Sequence, residues 1–169
     1  GRKKLSGASF SVTPDYLEAG TFILAGLATR GSIVVKNIVP HDLDIMWNLL
    51  REMNAPITLG RNFVKITSSK NGGLRACKRL QTNVFPGFPT DLQPPFAVLM
   101  TQASGNSRIH ETLFEGRFNY FPELAKMGAS IEKHNPHEAI IHGPTPLQGT
   151  TVKSWDIRAG AAMIVAALA

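Results

Sequence analysis

Three aspartates recur along the chain where an apolar, helix-forming run begins. Asp15 opens DYLEAGTFILAGLA, Asp91 opens DLQPPFAVLMT, and Asp156 opens DIRAGAAMIVAALA. Asp is a favoured helix N-cap, because its carboxylate accepts hydrogen bonds from the free N–H groups of the first turn. A rigidly placed carboxylate can also orient a hydroxyl group and accept its proton. The sequence leaves both interpretations open.

The approach to Asp91 is unusually stiff. The segment FPGFPTD contains two prolines, and Pro89 restricts the residue before it to extended conformations. Pro94 and Pro95 fit a first helical turn, whose N–H groups have no helical partner. A stiff segment that presents one carboxylate is what a positioned base or a substrate contact needs.

Two arginines lie at comparable places. Arg158 follows Asp156 by two residues, and Arg117 in FEGRF comes just after a predicted strand, where the next helix opens. Arginine together with a helix N-terminus forms a natural anion site. The alternative is that each arginine pairs with a neighbouring carboxylate.

The other chemistry-bearing residues favour structural explanations. Cys77 lies among basic residues that could lower its pKa, but a lone cysteine is more typically a buried, unreactive residue. His134, His137 and His142 surround an Asn-Pro turn, which predicts a β-hairpin rather than a metal site. A group of basic residues could in principle contact nucleic acid; they are Lys70, Arg75, Lys78 and Arg79. Because no aromatic residues are interleaved with them, we predict no nucleic-acid site at these positions.

Composition is typical of one folded domain. The 169 residues are 43% apolar and 18% charged, with one cysteine and a formal net charge of +6. The charge favours anionic partners in general. The stretch GRKKLSGASF has no apolar region typical of a signal peptide, and no run is long enough to span a membrane, so we expect a cytoplasmic protein with no membrane partner. Because the chain ends inside an apolar pattern, we expect it to be a piece of a longer protein.

An internal repeat organises the elements that must position these residues. LLREMNAPI matches ELAKMGASI, and the similarity predicts units at 5–80, 81–145 and 146–169, with the third only begun. Each unit reads as βαβαββ, which predicts a layered α/β (α+β) fold. The predicted strands are ASFSVT, SIVVKNI, ITLG, FVKITS, SRIHETLF, SIEKHN, EAIIHG and TTVKSW.

The second predicted helix of the first unit shows a clear amphipathic face. Its apolar residues recur at i, i+3, i+4, i+7 and i+10, which predicts that one stripe faces the core. They are Leu43, Met46, Trp47, Leu50 and Met53.

Four phrases, PGFPTDLQ, FEGRFNYFPELAKMGA, DYLEAGTFILA and WDIRAGAAMIVAALA, together resemble the UDP-N-acetylglucosamine enolpyruvyl transferases of bacterial peptidoglycan synthesis. The resemblance implies an inside-out barrel of βαβαββ units in each of two domains, with the active site in the cleft between them. It implies that this chain is most of the second domain. UDP-N-acetylglucosamine, phosphoenolpyruvate and the missing first domain are the implied partners, with no cofactor and no metal.

The same resemblance implies roles for individual residues. Asp91 is similar to the aspartate that contacts the sugar 3-hydroxyl and is its proposed base. Leu113 and the adjoining Phe114 resemble the segment whose backbone contacts the UDP-sugar. Arg117, Asp156 and Arg158 resemble cleft residues that handle the phosphate and carboxylate of phosphoenolpyruvate.

The chain departs from that pattern at two positions, Gly116, where Asn is usual, and Tyr16, where Arg is common. The family's loop with a reactive cysteine or aspartate, its N-terminal Lys-Asn pair and a later arginine lie outside this chain. We therefore expect the isolated chain to be inactive. The competing hypothesis is a non-catalytic module on the same repeat that binds a nucleotide-sugar or a protein.

Overall fold

The computed structural model describes residues 6–67, 73–154 and 156–169. The helices are α1 (Tyr16–Ala28), α2 (Asp44–Glu52), α3 (Gln93–Thr101), α4 (Phe121–Lys126) and α5 (Ile157–Leu168). The strands are β1 (Ile33–Lys36), β2 (Ile57–Leu59), β3 (Phe63–Ile66), β4 (Leu80–Gln81), β5 (Gly105–His110), β6 (Ser130–Lys133) and β7 (Glu138–Gly143). Short 3-10 turns cover Pro40–Leu43, Thr90–Leu92 and Glu115–Phe118.

The two sheets show the predicted repeat in their strand order. The first sheet has the order β1-β3-β2, and the second has β4-β5-β7-β6. In the first sheet, β2 and β3 form a hairpin, and β3 also pairs antiparallel with β1. In the second sheet, β6 and β7 form a hairpin, and β7 also pairs antiparallel with β5. The second unit is a complete βαβαββ unit, whose first strand, β4, runs parallel to β5. The α/β fold class is therefore confirmed, while β4 spans the predicted unit boundary at 80/81.

Helices lie inside and sheets outside. The three Asp-led helices α1, α3 and α5 pack against one another. Every residue of α3 is buried, including the polar Gln93 and Thr101 at its two ends. At Gly20 the approach is so close that an added Cβ would lie 2.5 Å from the Leu92 side chain. Small residues at this crossing let the helices bring their N-terminal ends together.

The amphipathic face predicted for the second helix is confirmed. All five of its apolar residues, from Leu43 to Met53, are buried. The indole N–H of Trp47 donates to the carbonyl of Pro40, which satisfies its one polar atom inside the core.

Two predicted strands are wrong. Residues 8–13 and 150–154 form no strand; Trp155, which ends the second segment, lies outside the described residues. Phe10 and Val12 alternate as in a strand but remain 86% and 87% exposed. Alternation alone does not form a strand, because strands are stabilised by a ladder with a neighbour. In the second segment the N–H of Lys153 donates to the side chain of Glu123 instead.

No helix within the described ranges is long and apolar enough to cross a membrane.

Candidate functional site

The three repeated aspartates have two different roles. Asp15 caps α1 by accepting from the N–H groups of Leu17 and Glu18. Asp156 caps α5 in the same way. Asp91 instead lies within a 3-10 turn, and α3 begins at Gln93 without any side-chain cap. The capping interpretation is thus confirmed at two positions and wrong at Asp91.

The Asp91 carboxylate lies between two arginines. Its Oδ1 atom accepts from Nε of Arg158 at 2.6 Å and lies 3.4 Å from Nη1 of Arg117. These arginines come from different repeat units and converge on one carboxylate. Because the Asp91 side chain is 38% exposed, it remains open to a ligand while its charge is balanced.

Arg117 is nearly buried, with 6% of its surface exposed. The 3-10 turn at Glu115–Phe118 carries it, and its guanidinium lies 4.7 Å from the centre of the Phe114 ring. Its Nε atom has no hydrogen-bond partner among the described residues. This guanidinium therefore retains a donor for a further acceptor.

Asp156 lies beside the Arg158 side chain as well as capping α5. Its Oδ1 atom accepts from the backbone N–H of Arg158 at 2.8 Å and lies 3.9 Å from Nη1 of that arginine, and its Oδ2 atom accepts from the Asn119 amide at 2.8 Å. Burial acts to raise the pKa of the Asp156 carboxyl, but hydrogen bonds from Asn119 and the amides of Ala159 and Arg158 outweigh it and lower that pKa. Both oxygens are engaged within the protein, and direct ligand contact by Asp156 stays a prediction.

Leu113 and Phe114 follow β5 and are 37% and 51% exposed. Their N–H groups donate to Oε1 of Glu111 at 2.9 and 3.3 Å. The carbonyl of Leu113 is thus the backbone group through which it could contact a sugar nucleotide. The sequence interpretation missed Glu111. Its signal was the alternation in β5, where Ser107 and Ile109 are buried and Glu111 continues the same phase.

Cys77 lies away from this chemistry. It is 1% exposed, and burial raises the pKa of its thiol to about 12. The basic neighbours therefore do not activate it.

The histidines form the predicted hairpin. Strands β6 and β7 pair antiparallel, and the side chain of Asn135 accepts from the N–H groups of His137 and Glu138 to close the turn. Within the described part of the chain, no cluster of three or more His, Cys, Asp or Glu side chains could hold a metal ion.

The members of the basic group that the structure describes lie on one segment. Lys70 lies outside the described residues, and Arg75, Lys78 and Arg79 lie in the segment that leads into β4. Arg79 is within 2.8 Å of the His110 ring on the exposed face of the second sheet.

The two departures from the resembled pattern lie beside the stiff approach and the arginine turn. Tyr16 packs its ring 6.3 Å from that of Phe85. A Cβ added at Gly116 would meet no atom within 4 Å, so an asparagine would fit there.

All 169 residues match the family model of EPSP synthase (3-phosphoshikimate 1-carboxyvinyltransferase). The chain belongs to the EPSP synthase family. Among its relatives within that family, UDP-N-acetylglucosamine 1-carboxyvinyltransferase 2 of Geobacillus kaustophilus is 40% identical over 99% of this chain and 38% of its own length. The UDP-N-acetylglucosamine 1-carboxyvinyltransferase of Prochlorococcus marinus (strain MIT 9312) is 44% identical over 99% of this chain and 36% of its own length. Both relatives are named for the enolpyruvyl (carboxyvinyl) transfer to UDP-N-acetylglucosamine that characterises the family resembled by the sequence phrases.

Two solved structures share the fold of this chain. The enolpyruvyl transferase NikO from Streptomyces tendae superposes with a TM-score of 0.84 at 27% identity, covering 93% of this chain and 37% of its own. EPSP synthase from Acinetobacter baumannii gives a TM-score of 0.72 at 17% identity over 93% of this chain and 40% of its own, which supports the fold alone. The chain thus spans less than half the length of each of these proteins.

Proposed function

We propose that this chain supplies one wall of the active site in a UDP-N-acetylglucosamine enolpyruvyl transferase. The observation that carries the proposal is that Asp91 alone among the three repeated aspartates is released from capping and held between Arg117 and Arg158. The proposed enzyme works in the cytoplasm and catalyses the first committed step of peptidoglycan synthesis. Through the cell wall, that step contributes to cell shape and cell division. The other wall comes from a first domain outside these residues.

The proposed reaction is an addition followed by an elimination. The sugar 3-hydroxyl oxygen bonds to C2 of phosphoenolpyruvate while C3 gains a proton. Phosphate then leaves as C3 loses a proton, which gives the enolpyruvyl ether. Asp91 orients the hydroxyl and accepts its proton, because a carboxylate that is open on one side and fixed on the other can do both.

The arginines stabilise the anionic groups of phosphoenolpyruvate and the adduct. Arg117 is buried, and the Arg158 guanidinium is held by Asp91 through Nε with its Nη1 atom 3.9 Å from Asp156, so both are oriented before a ligand arrives. The Leu113 carbonyl and the Phe114 ring form the proposed contact with the sugar nucleotide. This chemistry needs no metal and no organic cofactor.

The test is phosphate release from phosphoenolpyruvate by the full-length protein, with UDP-N-acetylglucosamine or 3-phosphoshikimate as the acceptor. We expect turnover with the sugar nucleotide and its loss in Asp91→Ala. Turnover with 3-phosphoshikimate but not with UDP-N-acetylglucosamine would show that the proposed acceptor is wrong. Tight binding of the sugar nucleotide without any turnover would favour the non-catalytic module.

A further inference from the structure

Glu111 is a fully buried carboxylate that the proposed reaction does not use. Its Oε1 atom accepts from the Thr82 hydroxyl at 2.9 Å and from the N–H groups of Leu113 and Phe114. Its Oε2 atom accepts from the Thr90 hydroxyl at 2.8 Å. No ion pair within the described ranges involves it. A buried carboxylate held only by neutral donors is uncommon, because a charged group that leaves water must regain its hydrogen bonds inside the protein.

The donors to Glu111 come from both loops that carry the candidate site. Thr90 directly precedes Asp91, and Phe114 directly precedes the turn that carries Arg117. One carboxylate therefore joins the loop of the proposed base to the loop of the buried arginine.

Glu111 is itself fixed to the second sheet. Its N–H donates to the carbonyl of His137, and its own carbonyl lies 2.7 Å from Nδ1 of that histidine. The neighbouring Thr112 exchanges two hydrogen bonds with Thr82, at 2.9 and 2.6 Å. The backbone at Glu111 and Thr112 is thus tied to His137 and to Thr82.

We propose that Glu111 is a positioning residue that sets the separation between Asp91 and Arg117 and the conformation of the Leu113–Phe114 backbone. The proposal rests on the function proposed above. Glu111 touches no substrate in this scheme and acts through Thr90 and through the two amides. The competing explanation is that it only stabilises the fold.

The sharpest variant removes one hydroxyl. Thr90→Val keeps the shape of the side chain and deletes the donor to Oε2, whereas Thr90→Ser keeps the donor. In the full-length protein we expect Thr90→Val to lower kcat about 10- to 100-fold with KM for UDP-N-acetylglucosamine changed less than about twofold, since only the placement of Asp91 changes. Thr90→Ser, which keeps the hydroxyl donor, should have a kcat within about threefold of that of the wild type.

The matched control is Thr101→Val. It removes the buried hydroxyl of Thr101, which donates to the Val98 carbonyl within α3, accepts from Nε2 of Gln102 and lies in no site loop. We expect it to lower Tm without lowering kcat. Equal losses of kcat in Thr90→Val and Thr101→Val, or a kcat in Thr90→Val equal to the wild type, would overturn the positioning role.

A second measurement does not depend on activity. Glu111→Gln keeps the size of the side chain and an acceptor for the two amides but removes the charge, which weakens those bonds. In the full-length protein we expect amide hydrogen exchange at Leu113 and Phe114 to accelerate about tenfold. The Cys77 amide, which donates to the Ser107 hydroxyl, serves as the internal control and should not change.

The two readouts separate the possible failures. If the wild type does not transfer the enolpyruvyl group, the proposed function fails, while the exchange rates still report whether Glu111 holds the loop. If Glu111→Gln lowers Tm but leaves exchange at Leu113 and Phe114 unchanged relative to Cys77, Glu111 is a stabilising residue only and the inference is wrong.

Discussion

The Nε atom of Arg158 lies 2.6 Å from Oδ1 of Asp91, although 67 residues separate them in the chain. The contact joins the start of α5 to the turn that precedes α3. Both side chains are more than one-third exposed, and exposed ion pairs contribute only about 0 to 1 kcal/mol to stability. Stability therefore explains this pair poorly, whereas a site that must present an oriented carboxylate beside a cation explains it directly.

Asp91→Asn tests the proposed base. The amide keeps the size of the side chain but cannot accept a proton, so we expect kcat in the full-length protein to fall about 10²- to 10⁴-fold. The control is Asp15→Asn at the equivalent position of the first unit. Asparagine caps helices nearly as well as aspartate, so this variant should keep its activity. Near-normal turnover in Asp91→Asn would remove Asp91 from the role of base.

Arg158→Lys tests whether the guanidinium geometry matters. Lysine keeps the charge but loses the planar set of donors in which Nε binds Asp91 and Nη1 lies 3.9 Å from Asp156. We expect kcat/KM for phosphoenolpyruvate to fall at least about tenfold.

The control for that substitution is Arg51→Lys. Arg51 is exposed on α2, and its Nη1 atom donates to the side chain of Asn48, so the exchange should have no effect on turnover. An unchanged kcat/KM in Arg158→Lys would show that charge alone, rather than oriented donors, is sufficient at this position.

Much of the fold was readable because local pattern and tertiary position agree. The stripe from Leu43 to Met53 is buried as predicted, since a helix with one apolar face has one way to hide it. The segment containing Phe10 and Val12 failed because alternation says which side chains share a face but supplies no neighbouring strand.

The site was only partly readable for a similar reason. Asp15 and Asp91 begin equivalent segments, yet one caps a helix and the other binds two arginines. The difference depends on Arg158, which arrives from another unit, and no local pattern contains that information. Glu111 was missed because two of its four donors, the hydroxyls of Thr82 and Thr90, are brought to it only by the folded chain.

We expect Asp156 and Glu123 to contribute to the fall in the free energy of unfolding as the pH becomes acidic. The pKa of each carboxyl is lowered in the folded chain, that of Glu123 mainly by its hydrogen bond from Lys126 and then by the Lys153 amide. A lowered folded pKa stabilises the protein above the unfolded pKa, and that stabilisation is lost as the pH falls through the folded pKa. Because the ordinary values are 4.5 for Glu123 and 3.8 for Asp156, the loss should begin below about pH 4.5.

Urea unfolding from about pH 7 to about pH 3 measures this effect. Glu123→Gln should lower the free energy of unfolding at neutral pH and flatten its fall in acid. Glu18→Gln, which removes an exposed carboxylate from α1, is the matched control. Parallel pH curves for the wild type and Glu123→Gln would contradict the assignment.

Cys77 reports on whether the 169-residue chain folds by itself. It is the only cysteine in the sequence, it is 1% exposed, and burial raises the pKa of its thiol to about 12. Because only the thiolate reacts, we expect modification by a thiol reagent near pH 8 to be at least about a thousandfold slower than for a free cysteine with a pKa of about 8.5. Denaturant should restore the fast rate. Asn48→Cys, which adds a thiol on the exposed face of α2, is the control and should react at once while Cys77 stays protected. Rapid reaction of Cys77 in the native buffer would show that this part of the fold does not form without the rest of the protein.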